Sequence, residues 1–556
     1  MQRFLLYAAG ILLALAWLSP YHYMPWLTFS SEMFTYASLF CLLAYYWDRA
    51  LKIPQMQWLW FAIALIPLGQ WCFGIELYFS KALLSSCYLF GFGAAAVLGV
   101  NLSREVGPEK ILKGFVSVTF YVGLITASIA LLQTFGLEKK LWGVMHLIGS
   151  RPYSNFAQPN NMATFLLMSL MASFYLFEKK MTPTWLNIIG GILVLIAMTL
   201  SQSRTPWIAS CILVVYILIK YQAQSYRIKK RYIILWPCIY LLCLISLPFI
   251  NHLLVNDGVS HSDLTTVVER ASTGHARLGI WAQMLYAIRE QPWFGYGWNQ
   301  TSVAQIMGAN FISHDERTNS AHNIILELLV WNGVILGSLI IAYLSYWIFK
   351  LNQAVKTKET LIATLMVIPV LVHSMLEFPQ NYAYFLFPVG FLLGLIQSEI
   401  KEGKCITLTS NVNTGILVAS ILLYGLIWRD YDNVVQTLAE SRQHAESGVF
   451  KQPKNNIILL TEYRSRAQWY YLNRFSYVDQ QQLNEIRKVV LVSPTNYDLF
   501  KYAQLLAFNG QTQQAMRQLL YIDGLYHVRY KDSQLVSNPK VNDVIHIPYD
   551  QVPKRL

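Results

Sequence analysis

Apolar residues run along this chain in long blocks, each closed by a short polar or basic connection. A helix that crosses a bilayer needs about 20 predominantly apolar residues, with a range of roughly 17–25. On that length, spans fall near 4–20, 32–48, 58–74, 82–101, 112–135, 161–177, 185–201, 205–220, 232–250, 322–349, 359–376, 381–397 and 413–428. The pattern predicts an all-α, polytopic membrane protein of about thirteen transmembrane helices, because a helix satisfies its backbone polar groups internally. The first block follows Arg3 and lacks a small-residue cleavage site, so it reads as a span and not as a removed signal peptide.

Lysine and arginine set the orientation. They gather in alternate connections: Arg49 and Lys52; Arg104, Lys110 and Lys113; Lys179 and Lys180; Lys220 to Arg231; Lys350 to Lys358; Lys401 and Lys404. The intervening short loops, such as 20–31 and 373–381, have none. The positive-inside bias puts the N-terminus in the cytoplasm and the long segments 136–160, 251–321 and 429–556 outside. Two domains follow: a transmembrane part, 1–428, with its large loop 251–321, and a helical outside domain, 429–556. The clearest unit of the latter runs from Asp498 to Ala507, turns at Asn509-Gly510 and resumes from Gln511 to Leu520, like one tetratricopeptide hairpin.

Composition narrows the partners. Charged residues make up 13% of the chain and hydrophobic ones 55%, against about 25% charge in soluble domains. The net charge of +13 sits in the loops beside apolar runs, as topology signals near an anionic leaflet do, so no nucleic-acid partner is expected and membrane lipids are. The seven cysteines avoid the long polar segments, which argues against a disulfide framework or a zinc site.

The candidate chemistry gathers on the outside face, in RPYSNFAQPNN (151–161), SQSRTPW (201–207), HARLGIW (275–281), SAHN (320–323) and HSMLEFPQNYAY (373–384). Each has a plain structural reading. Arg204 is either an interfacial anchor or, among Ser201, Gln202, Ser203 and Thr205, a fork for phosphate oxygens. Arg277 lies in an amphipathic stretch where Leu278, Trp281, Leu285 and Ile288 recur at helical spacing, which also fits a solvated surface helix. His322, beside Asn323, is either a helix-start bystander or a working histidine. His373 and Glu377, four apart, could share a helical face, yet no metalloprotease-type spacing accompanies them and no metal is expected. Gln158-Pro159-Asn160 could be a turn before a helix with Asn160 as its N-cap. The joint confinement of these groups to one face is what singles them out.

Those motifs resemble bacterial O-linked protein glycosylation ligases, the pilin-type O-oligosaccharyltransferases of the O-antigen ligase and polymerase superfamily. RPYSNFAQPNNMATFL at 151–166 is the most specific match. SQSRTPW and ARLGIWAQMLYAIREQPWFGYGWNQ (276–300) resemble the two arginine motifs, AHNIILELLVWNGVILG (321–337) the histidine motif, and HSMLEFPQNYAYFLFPVGFLLG (373–394) the following hairpin. Trp331-Asn332 stands where an acidic residue is frequent, and Glu327 where an amide is common. The resemblance implies an inner-membrane enzyme whose active site and C-terminal domain are periplasmic. It would transfer a glycan from undecaprenyl diphosphate to Ser or Thr of an exported acceptor protein such as pilin, using no cofactor. It makes His322 catalytic and Arg204 and Arg277 the diphosphate-binding residues. Gln158, Asn160, Asn323, His373, Glu377 and Gln380 are further candidates for substrate contacts. O-antigen ligation onto lipid A-core, glycan polymerisation and, from another class, lipid or solute transport are the alternatives.

Overall fold

The computed structural model describes residues 1–220, 226–256, 275–309, 311–312, 317–401, 403–447 and 456–535. Parts of the predicted outside loop 251–321 and tail 429–556 thus lie outside the described residues. In chain order the first helices are α1 (Gln2–Leu18), α2 (Phe29–Ala44), α3 (Trp58–Cys72), α4 (Phe79–Val106), α5 (Pro108–Thr134), α6 (Pro159–Glu178), α7 (Thr184–Leu200), α8 (Thr205–Lys220) and α9 (Lys230–Asn256). They continue with α10 (His275–Glu290), α11 (Thr301–Ala309), α12 (Ile324–Ala354), α13 (Lys358–Ser374), α14 (Ala383–Gln397) and α15 (Ser410–Gln443). The last are α16 (Thr461–Tyr471), α17 (Gln480–Val492), α18 (Asn496–Phe508) and α19 (Thr512–Tyr526).

The protein is all-α, and each expected span falls on a helix. Among the described residues, α4, α5, α6, α12 and α15 are long and apolar enough to cross a membrane, and α1, α2, α7, α8 and α14 are shorter apolar helices. One two-stranded antiparallel sheet appears, in which β1 (Leu51–Pro54) pairs with β2 (Cys405–Leu408) and Lys52 faces Thr407. It joins two of the basic loops that charge alternation assigned to the same side.

The chain divides into two compact units, each assembled from separated segments. The first comprises Met1–Phe61, Tyr88–Ser272 and Ser345–Ile421. Small residues let its helices approach: a Cβ on Gly99 would lie 2.2 Å from the Phe391 carbonyl oxygen, and one on Gly394 2.0 Å from that of Ala96. Such contacts carry helix association where lipid competes equally for apolar surface. Trp17 is buried at the centre of an aromatic group, 4.7 Å from Phe165 between ring centroids, and its indole donates to the Tyr384 carbonyl at 2.8 Å.

The second unit comprises Ala62–Cys87, Thr273–Leu344 and Leu422–Leu556. Its helical hairpin is the predicted one, with α18 and α19 joined through Asn509 and Gly510, the latter at φ +79°. Thr495 caps α18 by accepting from the Asp498 amide, and Asp479 forms a capping box with Gln482 at the start of α17. Leu499, Leu505, Ala515 and Leu519 of the hairpin share one core with Ile306 and Ala309 of α11. Lys501 is fully buried there; its ammonium donates to the Trp469 carbonyl at 2.7 Å and lies 4.2 Å from that ring, and burial brings its pKa down to about 8.

Several expectations are corrected. The span expected at 322–349 is not one straight helix. Gly333, at φ +73° and ψ 174°, interrupts α12, and a Cβ there would sit 2.3 Å from the Trp293 carbonyl oxygen. The backbone groups freed by the break are taken up by the preceding loop: the Tyr296 and Gly297 amides donate to the Val330 and Trp331 carbonyls, and the Val334 amide to that of Pro292. Irregular backbone in a membrane helix requires this kind of replacement. α9 runs on to Asn256, so the first residues of the expected loop 251–321 are helical. On α10 the buried face is Ile280, Gln283, Met284 and Ala287, while Leu278 and Leu285 are exposed. The reason is the close contact with α11, where a Cβ on Gly308 would meet the Gln283 carbonyl oxygen at 2.4 Å.

Candidate active site

In the first unit the RPYSNF segment is fixed before it reaches α6. Gln133, near the end of α5, accepts from the amides of Tyr153 and Ser154 and donates to the carbonyls of Met145 and Ser154. Asn155 donates to the carbonyls of Leu18 and Gly143, and His22 bonds its carbonyl at 2.9 Å. Burial pushes the His22 imidazole below its ordinary value, against the opposing pull of its backbone bonds to Asn155, Ser19 and Leu27. A loop held this way presents its side chains in one arrangement.

Arg151 links three motifs. Its Nε donates to the Ser201 carbonyl at 2.8 Å and Nη2 to Oδ1 of Asn160 at 3.2 Å. Asn160 in turn donates through Nδ2 to Glu377 Oε1 at 3.2 Å. Asn160 is therefore not the cap of α6; Gln158 occupies the N-cap position, with Pro159 at the first turn, and the Asn160 side chain is turned to its neighbours. His373 is fully buried with Nδ1 2.9 Å from Thr164 Oγ1. It does not share a helical face with Glu377, because α13 ends at Ser374, though the Glu377 amide still donates to the His373 carbonyl at 2.7 Å. Arg204, half-buried, is the residue before α8, in a turn where Ser201, Gln202 and Ser203 are buried. The positive end of a helix dipole at that place favours an anion. The amide of Gln380 is buried with no hydrogen-bonding partner among the described residues.

In the second unit Glu327 organises the histidine turn. Its carboxylate is fully buried; Oε1 accepts from Ser320 Oγ at 2.5 Å and the Ala321 amide at 2.6 Å, and Oε2 from Thr301 Oγ1 at 2.8 Å. Ser320 Oγ also accepts from the His322 amide at 3.0 Å. Thr301 Oγ1 accepts from the Trp331 indole at 2.8 Å, which ties the same network to the break in α12. Asn323 caps α12, its Oδ1 accepting from the amides of Ile325 and Leu326. Trp281, one turn beyond Arg277 on α10, donates to the Ala321 carbonyl at 2.9 Å. Glu76, in the loop before α4, is a further buried carboxyl, raised by burial to about 8 against the nearby Lys81 charge.

Left-handed backbone at residues other than glycine marks three of the five motifs: Ser154 and Ala157 (φ +53° and +57°), Gln202 (φ +50°) and His322 (φ +52°). Such a conformation costs on the order of 1–3 kcal/mol and persists where surrounding bonds impose it. Of the candidates chosen from the sequence, Asn160 and Glu377 are in direct contact, and the helix of Arg277 is tied to the turn of His322. Arg204 belongs to the first unit and Arg277 and His322 to the second. Arg151, Gln133, Ser320 and Trp281 act as organisers that sequence reading did not select. For Arg151, Ser320 and Trp281 only their position inside the quoted motifs hints at it, and for Gln133 nothing in the motifs does.

Residues 361–539 match the family profile described as virulence factor membrane-bound polymerase, C-terminal; 189–341 match O-antigen ligase; 152–177 match protein glycosylation ligase. The chain is 40% identical over 533 residues to the general O-oligosaccharyltransferase of Acinetobacter baylyi (strain ATCC 33305 / BD413 / ADP1), covering 95% of this chain and 94% of that one. It is 27% identical over 477 residues to the ComP-specific O-oligosaccharyltransferase of the same organism, covering 85% of each. A helical, apolar chain with these polar clusters at helix ends is a membrane glycosyltransferase. It belongs to the O-oligosaccharyltransferase family within the O-antigen ligase superfamily.

Proposed function

We propose that this enzyme transfers an oligosaccharide from undecaprenyl diphosphate to Ser or Thr hydroxyls of periplasmic or surface proteins, pilin among them, at the outer face of the inner membrane. The observation that carries the reading is His322, held in left-handed backbone on a turn pinned by the buried Glu327 carboxylate. An imidazole titrates near neutrality and suits general-base work. In the reaction the acceptor hydroxyl gives its proton to His322 or is positioned by it. Its oxygen bonds to the anomeric carbon as the carbon–oxygen bond to the diphosphate breaks, and the electron pair leaves with the phosphate. Arg204 and Arg277 stabilise the charge gained by the diphosphate, each worth about 2–4 kcal/mol of barrier.

Asn160, bonded to both Arg151 and Glu377, and the amide of Gln380, which has no partner among the described residues, support sugar contacts, since a buried amide without a partner is satisfied by a hydroxyl. Gln158 and His373, in the first unit, and Asn323, next to His322 in the second, are proposed for further substrate contacts. The tail 429–556 is assigned to the same side of the membrane, where it presents the acceptor.

The test is co-expression with a lipid-linked glycan pathway and a candidate pilin in a ligase-deficient bacterium, reading the intact mass of the pilin. A glycan-sized gain that disappears in His322→Ala at matched membrane abundance is the expected result. Arg204→Lys should stay impaired, because an ammonium does not reproduce the guanidinium fork. Modification of lipid A-core or lengthening of the glycan instead would favour the second reading, ligase or polymerase, which the matches to O-antigen ligase and membrane-bound polymerase support.

A further inference from the structure

A cavity of about 500 Å³ lies in the first unit, at the ends of α6 and α7 remote from Arg151 and Arg204. Its size falls within the roughly 300–1,000 Å³ of sites that hold small organic ligands. Its wall is hydrocarbon: Leu170 and Phe174 of α6, Ile188 of α7, Ile217 of α8, and Ile233 and Trp236 of α9. Two of the polar lining residues, Ser173 and Asn187, are engaged with each other. Ser173 Oγ donates to Asn187 Oδ1 at 3.2 Å, and Asn187 Nδ2 donates to Thr182 Oγ1 at 2.6 Å and the Pro183 carbonyl at 3.1 Å. A ligand inside is therefore offered no polar partner by them, and an apolar chain fits.

One part of the lining is different. Arg227 contributes to it, its guanidinium 4.4 Å over the Phe177 ring with Nη1 donating to the Phe177 carbonyl. Lys229, Lys230 and Arg231 follow and are exposed, and no acidic residue occurs from 226 to 236. The carboxylates nearby are already matched: Glu178 by Lys358 at 2.8 Å and by the Arg227 amide, Glu109 and Glu359 by Lys179. Trp185 and Tyr232, both exposed, stand at this end, where amphipathic rings mark the headgroup level of a bilayer.

We propose that the cavity holds an acyl chain of an anionic phospholipid whose phosphate binds Arg227 and the adjoining basic residues. Basic pockets between membrane helices recognise anionic headgroups in this way, and a guanidinium offers the donor fork that phosphate oxygens take. Phospholipid is favoured over the polyprenyl tail of a glycan donor because Arg227 lines the cavity, and the α7 residues that line it, Thr184, Asn187 and Ile188, lie at the far end of that helix from Arg204.

Native mass spectrometry of the full chain, released from nanodiscs of phosphatidylglycerol or phosphatidylcholine, tests this. Phosphatidylglycerol should stay bound where phosphatidylcholine is lost. Arg227→Gln should lower its retention about fivefold, the contribution of one basic residue near an anionic surface. Ile188→Trp, which fills the cavity from an exposed position, should abolish retention; if that variant does not accumulate, Arg227→Gln decides alone. Equal retention of both lipids, unchanged in Arg227→Gln, would mean ordinary boundary lipid and overturn the proposal. Co-purification of a polyprenyl phosphate in place of phospholipid would overturn it too.

Discussion

The indole of Trp281 donates to the carbonyl of Ala321 at 2.9 Å, so the helix that carries Arg277 holds the turn that carries His322. Replacing Trp281 by Phe keeps a ring and removes the donor. A hydrogen bond of this kind contributes about 0.5–1.5 kcal/mol, and the expected loss is a two- to tenfold fall in glycan transfer, as an order of magnitude from that range, at matched protein abundance. Unchanged transfer would show that the turn keeps its geometry without α10.

Glu327 accepts from three groups, and each donor stranded in the interior costs about 1–3 kcal/mol. Glu327→Ala should reduce transfer at least about tenfold or prevent accumulation. Glu327→Gln should retain much more, because the amide oxygen still accepts from Ser320 and Ala321. In-membrane transfer assays with both variants give the comparison, and equal loss in the two would mean the charge itself is needed.

Gly333 occupies a region of backbone space that is essentially reserved for glycine, with the Trp293 carbonyl in the place of a Cβ. Gly333→Ala should accumulate poorly in membranes, while Gly415→Ala, where a Cβ meets nothing within 4 Å, should accumulate normally. Immunoblots of membrane fractions measure this directly.

In the tail, burial tends to raise the Glu446 carboxyl, but Arg474 and the Tyr497 hydroxyl outweigh it and hold the group below its usual range. A carboxyl lowered on folding stabilises fully above its ordinary pKa, and that contribution disappears as pH falls through the lowered value. Melting temperatures of the full chain in detergent should therefore drop more steeply below about pH 5 in wild type than in Arg474→Met. Parallel curves would show that the pair adds nothing to folding.

The order of apolar blocks was enough to locate the helices and the basic loops, because a bilayer demands about 20 apolar residues per crossing and intrahelical hydrogen bonds within each. Local chemistry was legible in part: Asn509-Gly510 turns between α18 and α19 as expected. What tertiary structure decided was which side chains meet. Asn160 read as a cap until Arg151, close by in the chain, and Glu377, far away in it, claimed its amide. The face of α10 was set by α11 and not by its own leucines, since close helix contact at Gly308 outweighs periodicity. The break in α12 depended on Pro292 to Gly297 arriving to take the freed backbone groups. Periodicity along a chain records burial averaged over a turn, whereas hydrogen bonds between distant segments depend on positions in space that no local spacing encodes.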